Sequence, residues 1–175
     1  LNIHPAVSII VNCYNEAAFV RETLDSVFAQ TCQDWEVIFW DNASDDESSE
    51  IAARYGDKVR CFRSDTMIPL GTARALAYEQ TKGDFIAILD ADDIWLPEKL
   101  EKQLDLFQAD ESLGMTYCDA TFFDQGGDRQ RMFRLNQPHR GRVFSRLIRK
   151  NFMCSSSMMF RRTALDELGC AFDDK

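Results

Sequence analysis

Four short strand-like runs alternate with helical patterns over the first 108 residues. That alternation restricts the fold more than any single motif. Val7–Val11, Trp35–Trp40, Val59–Arg63 and Phe85–Leu89 are each too short for a helix and draw on β-branched and aromatic residues. The helical pattern after the first run puts Val20, Leu24, Val27 and Phe28 on one face and ends near Gln30. A second passes through Ile51, Ala52 and Tyr55, with Gly56 as its C-cap. A third runs from Thr72 to Lys82 with an Ala73, Leu76, Ala77 stripe, and Gly83 closes it. A fourth follows Pro97 and carries Leu100, Leu104 and Phe107. Strands separated by helices pair in parallel, because a parallel neighbour needs a long crossover. The pattern therefore predicts an α/β chain with a mostly parallel sheet flanked by helices on both faces.

The pattern changes after Gly114. Met115–Phe123 reads as one strand, residues 124–142 as a polar stretch, and Val143–Phe152 as a helix. Ser155–Arg162 reads as a strand or its approach, and residues 163–169 as a short helix capped by Gly169. Arg129, Arg131, Arg134, Arg140, Arg142 and Arg146 cluster here; they suit either an anionic acceptor or a solvated basic loop.

A length of 175 residues fits one domain with one core. The formal net charge of −9 argues against nonspecific nucleic-acid binding, which needs a basic face. The six cysteines form no CxxC pair and no zinc spacing, and read as reduced thiols of a cytosolic chain. No secretory leader pattern and no run of 18 apolar residues is visible, so the chain holds no membrane span; an anchor outside it is compatible with that.

The stretch FIAILDADDIW, Phe85–Trp95, ends a buried strand on Asp90, Asp92 and Asp93. Carboxylates that close repel one another and resist burial, so a cation belongs near them. Alternate residues of an extended segment point the same way, which would let Asp90 and Asp92 face one site. Hard oxygen ligands suit Mg²⁺ or Mn²⁺, whose remaining positions are commonly filled by waters and phosphates. Asp93 is a candidate N-cap of the helix that follows Ile94. In open α/β sheets ligands bind beyond the carboxyl ends of the strands. Asn12–Glu16, Asp41–Asn42 and Asp90–Asp93 would share that edge. Tyr14 could stack on a base, Asp41 and Asn42 could bond one or form an Asx turn, and Arg74 could face a diphosphate. His4 and His139 stand alone.

Residues Val7 to about Gln108, and more weakly Ser155–Asp174, closely resemble family 2 glycosyltransferases in motif order and spacing. The resemblance implies the GT-A fold, a Rossmann-like α/β architecture, with residues 1–108 as nucleotide-binding half and 109–175 as the start of the acceptor-side half. It implies inverting transfer from a nucleotide-sugar donor, a UDP-sugar first, to a saccharide, lipid or protein acceptor at the cytoplasmic face. Tyr14, Asp41 and Asn42 match the positions that hold the nucleoside; many relatives have a second aspartate where Asn42 stands. Asn15, Glu16, Arg74 and Ala91 match other donor-site positions. Asp90 matches the nucleotide contact. Asp92 matches the catalytic metal ligand, with Asp90 beside it. The base is expected beyond Lys175, with Asp119, Asp173 and Asp174 as fallbacks. Apolar surface near Phe172 and the Ser155–Phe160 stretch would then lie uncovered and favour self-association. A donor-binding module without catalysis is the nonenzymatic alternative. A phosphotransfer domain is disfavoured because no acid follows the first strand directly.

Overall fold

The computed structural model describes residues 4–123, 126, 129–169 and 172. The elements run β1 (Val7–Cys13), α1 (Val20–Phe28), β2 (Trp35–Asp41), α2 (Ser48–Ala53), β3 (Val59–Arg63), α3 (Leu70–Glu79), β4 (Phe85–Asp90) and α4 (Lys99–Ala109). Then come β5 (Met115–Tyr117), β6 (Thr121–Phe123), β7 (Arg129–Arg131), α5 (Met132–Leu135) and α6 (Phe144–Leu147). A 3₁₀ turn (Ser155–Ser157), β8 (Met158–Arg161) and α7 (Arg162–Glu167) follow. Six strands form one sheet in the order β3-β2-β1-β4-β8-β5, and β6 pairs with β7 apart from it. β1 pairs in parallel with β2 and β4, and β2 with β3, while β8 is antiparallel to both its neighbours. The expected mostly parallel α/β sheet is the one observed.

Both faces of the sheet are covered, which explains the near-continuous apolar runs of β1, β2 and β4. One core gathers Ile9, Val11, Val37, Phe39, Leu89 and Phe107 with the α1 face. The other gathers Ile10, Ile38, Ile86 and Ile88 with Ala73 and Ala77 of α3. Successive residues of β1 thus feed opposite cores. Small residues on α3 let it approach the sheet closely.

Several expectations need correction. α3 begins at Leu70 and ends at Glu79, not Thr72 to Lys82. Gly83 is needed for proximity and not as a helix cap: a Cβ there would lie 2.6 Å from the Ser8 amide nitrogen. Gly56 and Gly169 do take the left-handed conformation, with φ of 77° and 68°. The Met115–Phe123 strand breaks at Cys118–Ala120, leaving β5 in the main sheet and β6 in a separate ribbon. The helix expected over Val143–Phe152 is the single turn α6, and the polar stretch before it contains β7 and α5.

The surface near Phe172 and the Ser155–Phe160 stretch is covered in part: Met158, Phe160 and Phe172 are half-buried. β8 lies between β4 and β5 with Met159 fully buried, and Phe172 packs edge-on to Tyr78 with ring centroids 6.2 Å apart. No helix among the described residues is long and apolar enough to cross a membrane. Cys13, Cys32, Cys61, Cys118 and Cys154 are free thiols.

Candidate functional site

The strand order reverses direction around β1, between β2 and β4, and this switch point is where an open α/β sheet forms its crevice. In register, Asn12 lies beside Asp90, and Cys13 beside Asp41. Three of the polar clusters therefore share one sheet edge, as the alternation of elements required.

The loop after β1 is laced to the loop after β2. The Asn15 amide donates to Ser44 Oγ at 3.0 Å, and Asn15 Oδ1 accepts the Asp45 amide at 2.8 Å. The Glu16 amide donates to Ser48 Oγ at 3.1 Å and the Ala17 amide to Asp46 Oδ2 at 2.9 Å. Asn15 has φ of 57°, a conformation Asn tolerates because its short side chain bonds locally. Asn15 thus works as a loop builder. Tyr14, immediately before it, is left 43% exposed, with its ring available to a ligand.

Asp41 and Asn42 are both buried. Asp41 Oδ1 accepts the Ser44 amide at 2.9 Å, and Oδ2 accepts Ser49 Oγ and the Arg63 guanidinium. Burial alone would raise this carboxyl, but the serine bonds and Arg63 outweigh it and hold it below the usual range. Asn42 exchanges two bonds with the Ile68 backbone, donating to its carbonyl at 2.8 Å and accepting from its amide at 3.1 Å. The turn-building alternative is what these contacts display. The pair fixes the loops on which Tyr14 and Ile68 stand.

At the end of β4 the four residues Asp90–Asp93 form a turn, with the Asp93 amide donating to the Asp90 carbonyl at 3.1 Å. The extended geometry expected for Asp90 and Asp92 is therefore absent. Ala91 is buried, and its carbonyl accepts Thr23 Oγ1 at 2.8 Å, which ties the turn to α1. Asp90 Oδ1 accepts Arg74 Nη2 at 2.8 Å, and its Oδ2 accepts Ser155 Oγ. Ser156 Oγ accepts the Asp90 amide at 3.0 Å and donates to Asp93. Asp93 caps no helix, since α4 starts at Lys99. Burial, then the charges of Asp92 and Asp90, outweigh the Ser156 bond and leave the Asp93 carboxyl raised.

Asp92 is exposed and forms no hydrogen bond or ion pair among the described residues. Glu16 faces it from the β1 loop: burial first, and then the charges of Asp92 and Asp46, raise the Glu16 carboxyl. An uncompensated pair of hard oxygen donors at a crevice mouth fits a divalent cation. Asp90 fits less well, because both its oxygens are engaged. No group of three or more His, Cys, Asp or Glu among the described residues is arranged to hold a metal.

Ser155, Ser156 and Asp46 were not singled out from the sequence. The Ser155–Ser157 run just before a strand was the available signal for the first two. Among the described residues, neither Asn12 side-chain polar atom has a hydrogen-bond partner although both are buried, and the same holds for Arg74 Nε. Of the fallback bases, Asp119 is engaged by Arg131 and by the Phe133 amide at 2.8 Å. Asp173 and Asp174 lie outside the described residues. His4 lies 3.8 Å from Asp84 at the opposite end of β4, and His139 packs on Phe152.

The sequence model described as glycosyl transferase family 2 matches residues 8–169. The chain belongs to that family. An uncharacterized glycosyltransferase of Rickettsia prowazekii is 35% identical over 122 residues, covering 69% of this chain and 38% of the relative. The family 2 chain therefore spans well under two thirds of that relative's length. Among solved structures, S. aureus TarS 1–349 in complex with UDP superposes with a TM-score of 0.77 at 22% identity, covering 96% of this chain and 50% of TarS. The mannosyltransferase PcManGT of Pyrobaculum calidifontis, in complex with GDP-Man and Mn²⁺, gives 0.70 at 22% identity, covering 97% and 48%. Both likenesses establish the GT-A fold of this family 2 chain.

Proposed function

We propose that this chain forms the donor-binding part of an inverting glycosyltransferase that moves a sugar from a nucleoside diphosphate, UDP first, to an acceptor hydroxyl. The observation that carries the reading is the meeting of Tyr14, Glu16, Arg74, Asp90 and Asp92 at the switch-point crevice of a family 2 chain. The UDP on TarS and the GDP-Man on PcManGT support a nucleotide donor.

The Tyr14 ring stacks on the base, a contact worth on the order of 1–3 kcal/mol where bases stack on aromatic side chains. Asp41 and Asn42 hold the floor of the nucleoside site. Asp90 meets the nucleotide while retaining Arg74, whose partly exposed guanidinium is a donor for the diphosphate. Asp92, with Glu16 across from it, would hold Mg²⁺ or Mn²⁺, as the Mn²⁺ on PcManGT supports. Such an ion, when bound, neutralises charge growing on the leaving diphosphate. The acceptor proton passes to a base outside the residues named here.

Calorimetric titration with UDP, GDP, CDP and dTDP in Mn²⁺ tests the reading. UDP is expected to bind tightest. A chain that binds none of the four at millimolar concentration would refute the donor site.

A further inference from the structure

The later part of the chain reverses the charge of the whole. Formal net charge is −9, yet ten of the 20 Lys and Arg lie between residues 129 and 165, where there is no Asp or Glu. Among the described residues, Arg131 alone of the basic side chains between 129 and 150 is ion-paired, to Asp119. Two concavities share Leu135 on this face. One, of about 300 Å³, is lined by Arg146, Arg149 and Lys150 beside Phe152; the other, of about 430 Å³, by Arg129, Arg131 and Arg134.

Large apolar side chains stand out on the same elements. Phe144 is 75% exposed, Ile148 70%, Phe123 60% and Leu135 57%. The Ile148 amide bonds the Phe144 carbonyl at 3.1 Å, so these two side chains lie one helical turn apart on one side of α6. Phe123 sits opposite Arg129 in the β6–β7 ribbon. This exposure is not that of a frayed segment. Met132 and Phe152 are buried beneath the face, and the Tyr117 hydroxyl both accepts from the His139 amide and donates to its carbonyl, each at 2.7 Å.

A soluble polyanion would account for the arginines but not for four large apolar groups held in water. An anionic phospholipid surface accounts for both. Guanidinium and ammonium groups meet headgroup phosphates, while Phe, Ile and Leu enter the acyl boundary. We propose that the face formed by β6–β7, α5 and α6 docks this protein on an anionic lipid surface. None of the basic or exposed apolar side chains of this face is among those assigned to the donor site, so the proposal stands whether or not UDP is the donor.

The test is co-sedimentation with phosphatidylcholine vesicles, with and without about 30% phosphatidylglycerol, at low and high salt. Binding is expected to the anionic vesicles only, weakening as salt rises. Phe144→Ser combined with Ile148→Ser, and separately Arg146→Gln combined with Arg149→Gln, should each reduce it roughly tenfold or more. All four side chains are exposed, so unchanged melting temperatures confirm that the variants fold. Equal binding to neutral and anionic vesicles, or none to either, overturns the proposal. So does undiminished vesicle binding by the Phe144/Ile148 variant together with tight binding of inorganic polyphosphate, which would mark a soluble-polyanion site. Self-association that the Phe144/Ile148 variant abolishes, without vesicle binding, overturns it in favour of a second copy.

Discussion

Arg74 on α3 and Asp90 at the end of β4 are joined at 2.8 Å, with 18% and 35% of their side chains exposed. The pair neutralises Asp90 within the protein and leaves Asp92, two residues on, unpaired. Two aspartates of equal standing in the sequence therefore do different work.

Asp90→Ala should destabilise the fold by roughly 1–3 kcal/mol, because it strands a part-buried guanidinium and the Ser155 hydroxyl. Asp92→Ala, at an exposed turn, should stay within about 0.5 kcal/mol of the parent. Urea unfolding distinguishes the two. Equal losses would show that the Arg74 bond contributes nothing.

Asn42 fastens the β2 loop through reciprocal bonds to the Ile68 backbone. Asn42→Asp replaces the donor to the Ile68 carbonyl with an acceptor, so it should cost roughly 1–3 kcal/mol and speed amide exchange around residues 64–69. Unchanged exchange there would mean the loop is held by other contacts.

Much of this was legible in the sequence. Strand-like runs of five or six residues between helical stripes prescribed the β-α alternation, and alternation prescribed a parallel sheet with polar loops on one edge. Gly83 was legible as a breaker but not as a contact point, since close approach to Ser8 depends on tertiary packing. The Asp90–Asp93 turn was missed because an extended continuation of β4 satisfied the same spacing; Ser156 bridging Asp90 and Asp93 is what bends it. β7 and α5 were not visible, the break before β6 was missed and α6 was drawn too long, because each is four residues or fewer, too short to show a period.

Gly83→Ala should cost roughly 1–3 kcal/mol through overpacking against the Val7–Ser8 backbone, since backbone gives way less readily than a side chain. Gly56→Ala meets nothing within 4 Å and should cost only about 1 kcal/mol, for its left-handed conformation. Thermal unfolding of both variants checks the order.

Lys99 is buried, with Nζ 3.8 Å from the Trp95 ring centroid and 2.7 Å from Gln103 Oε1. Burial pushes its ammonium down to about 8 from 10.5. The unfolded chain therefore binds the proton more tightly than the folded one. The cost to folding is complete below about pH 8, on the order of 3 kcal/mol, and is relieved as pH rises toward about 10.5. Lys99→Met should accordingly gain roughly 1–3 kcal/mol over the parent at pH 7, with the gain shrinking by about pH 10. Denaturant unfolding of the two chains across that window checks it; a constant difference would contradict the burial of the charge.

The central claim is that Asp92 and Glu16 form the cation end of a nucleotide site. Calorimetric titration of UDP into the parent chain and Asp92→Asn, each in Mn²⁺ and in EDTA, tests it most directly. The account predicts tighter UDP binding by the parent in Mn²⁺ than in EDTA, with that difference lost in a folded Asp92→Asn chain. Equal affinity in Mn²⁺ and EDTA for the parent, or a metal effect undiminished in Asp92→Asn, would contradict it.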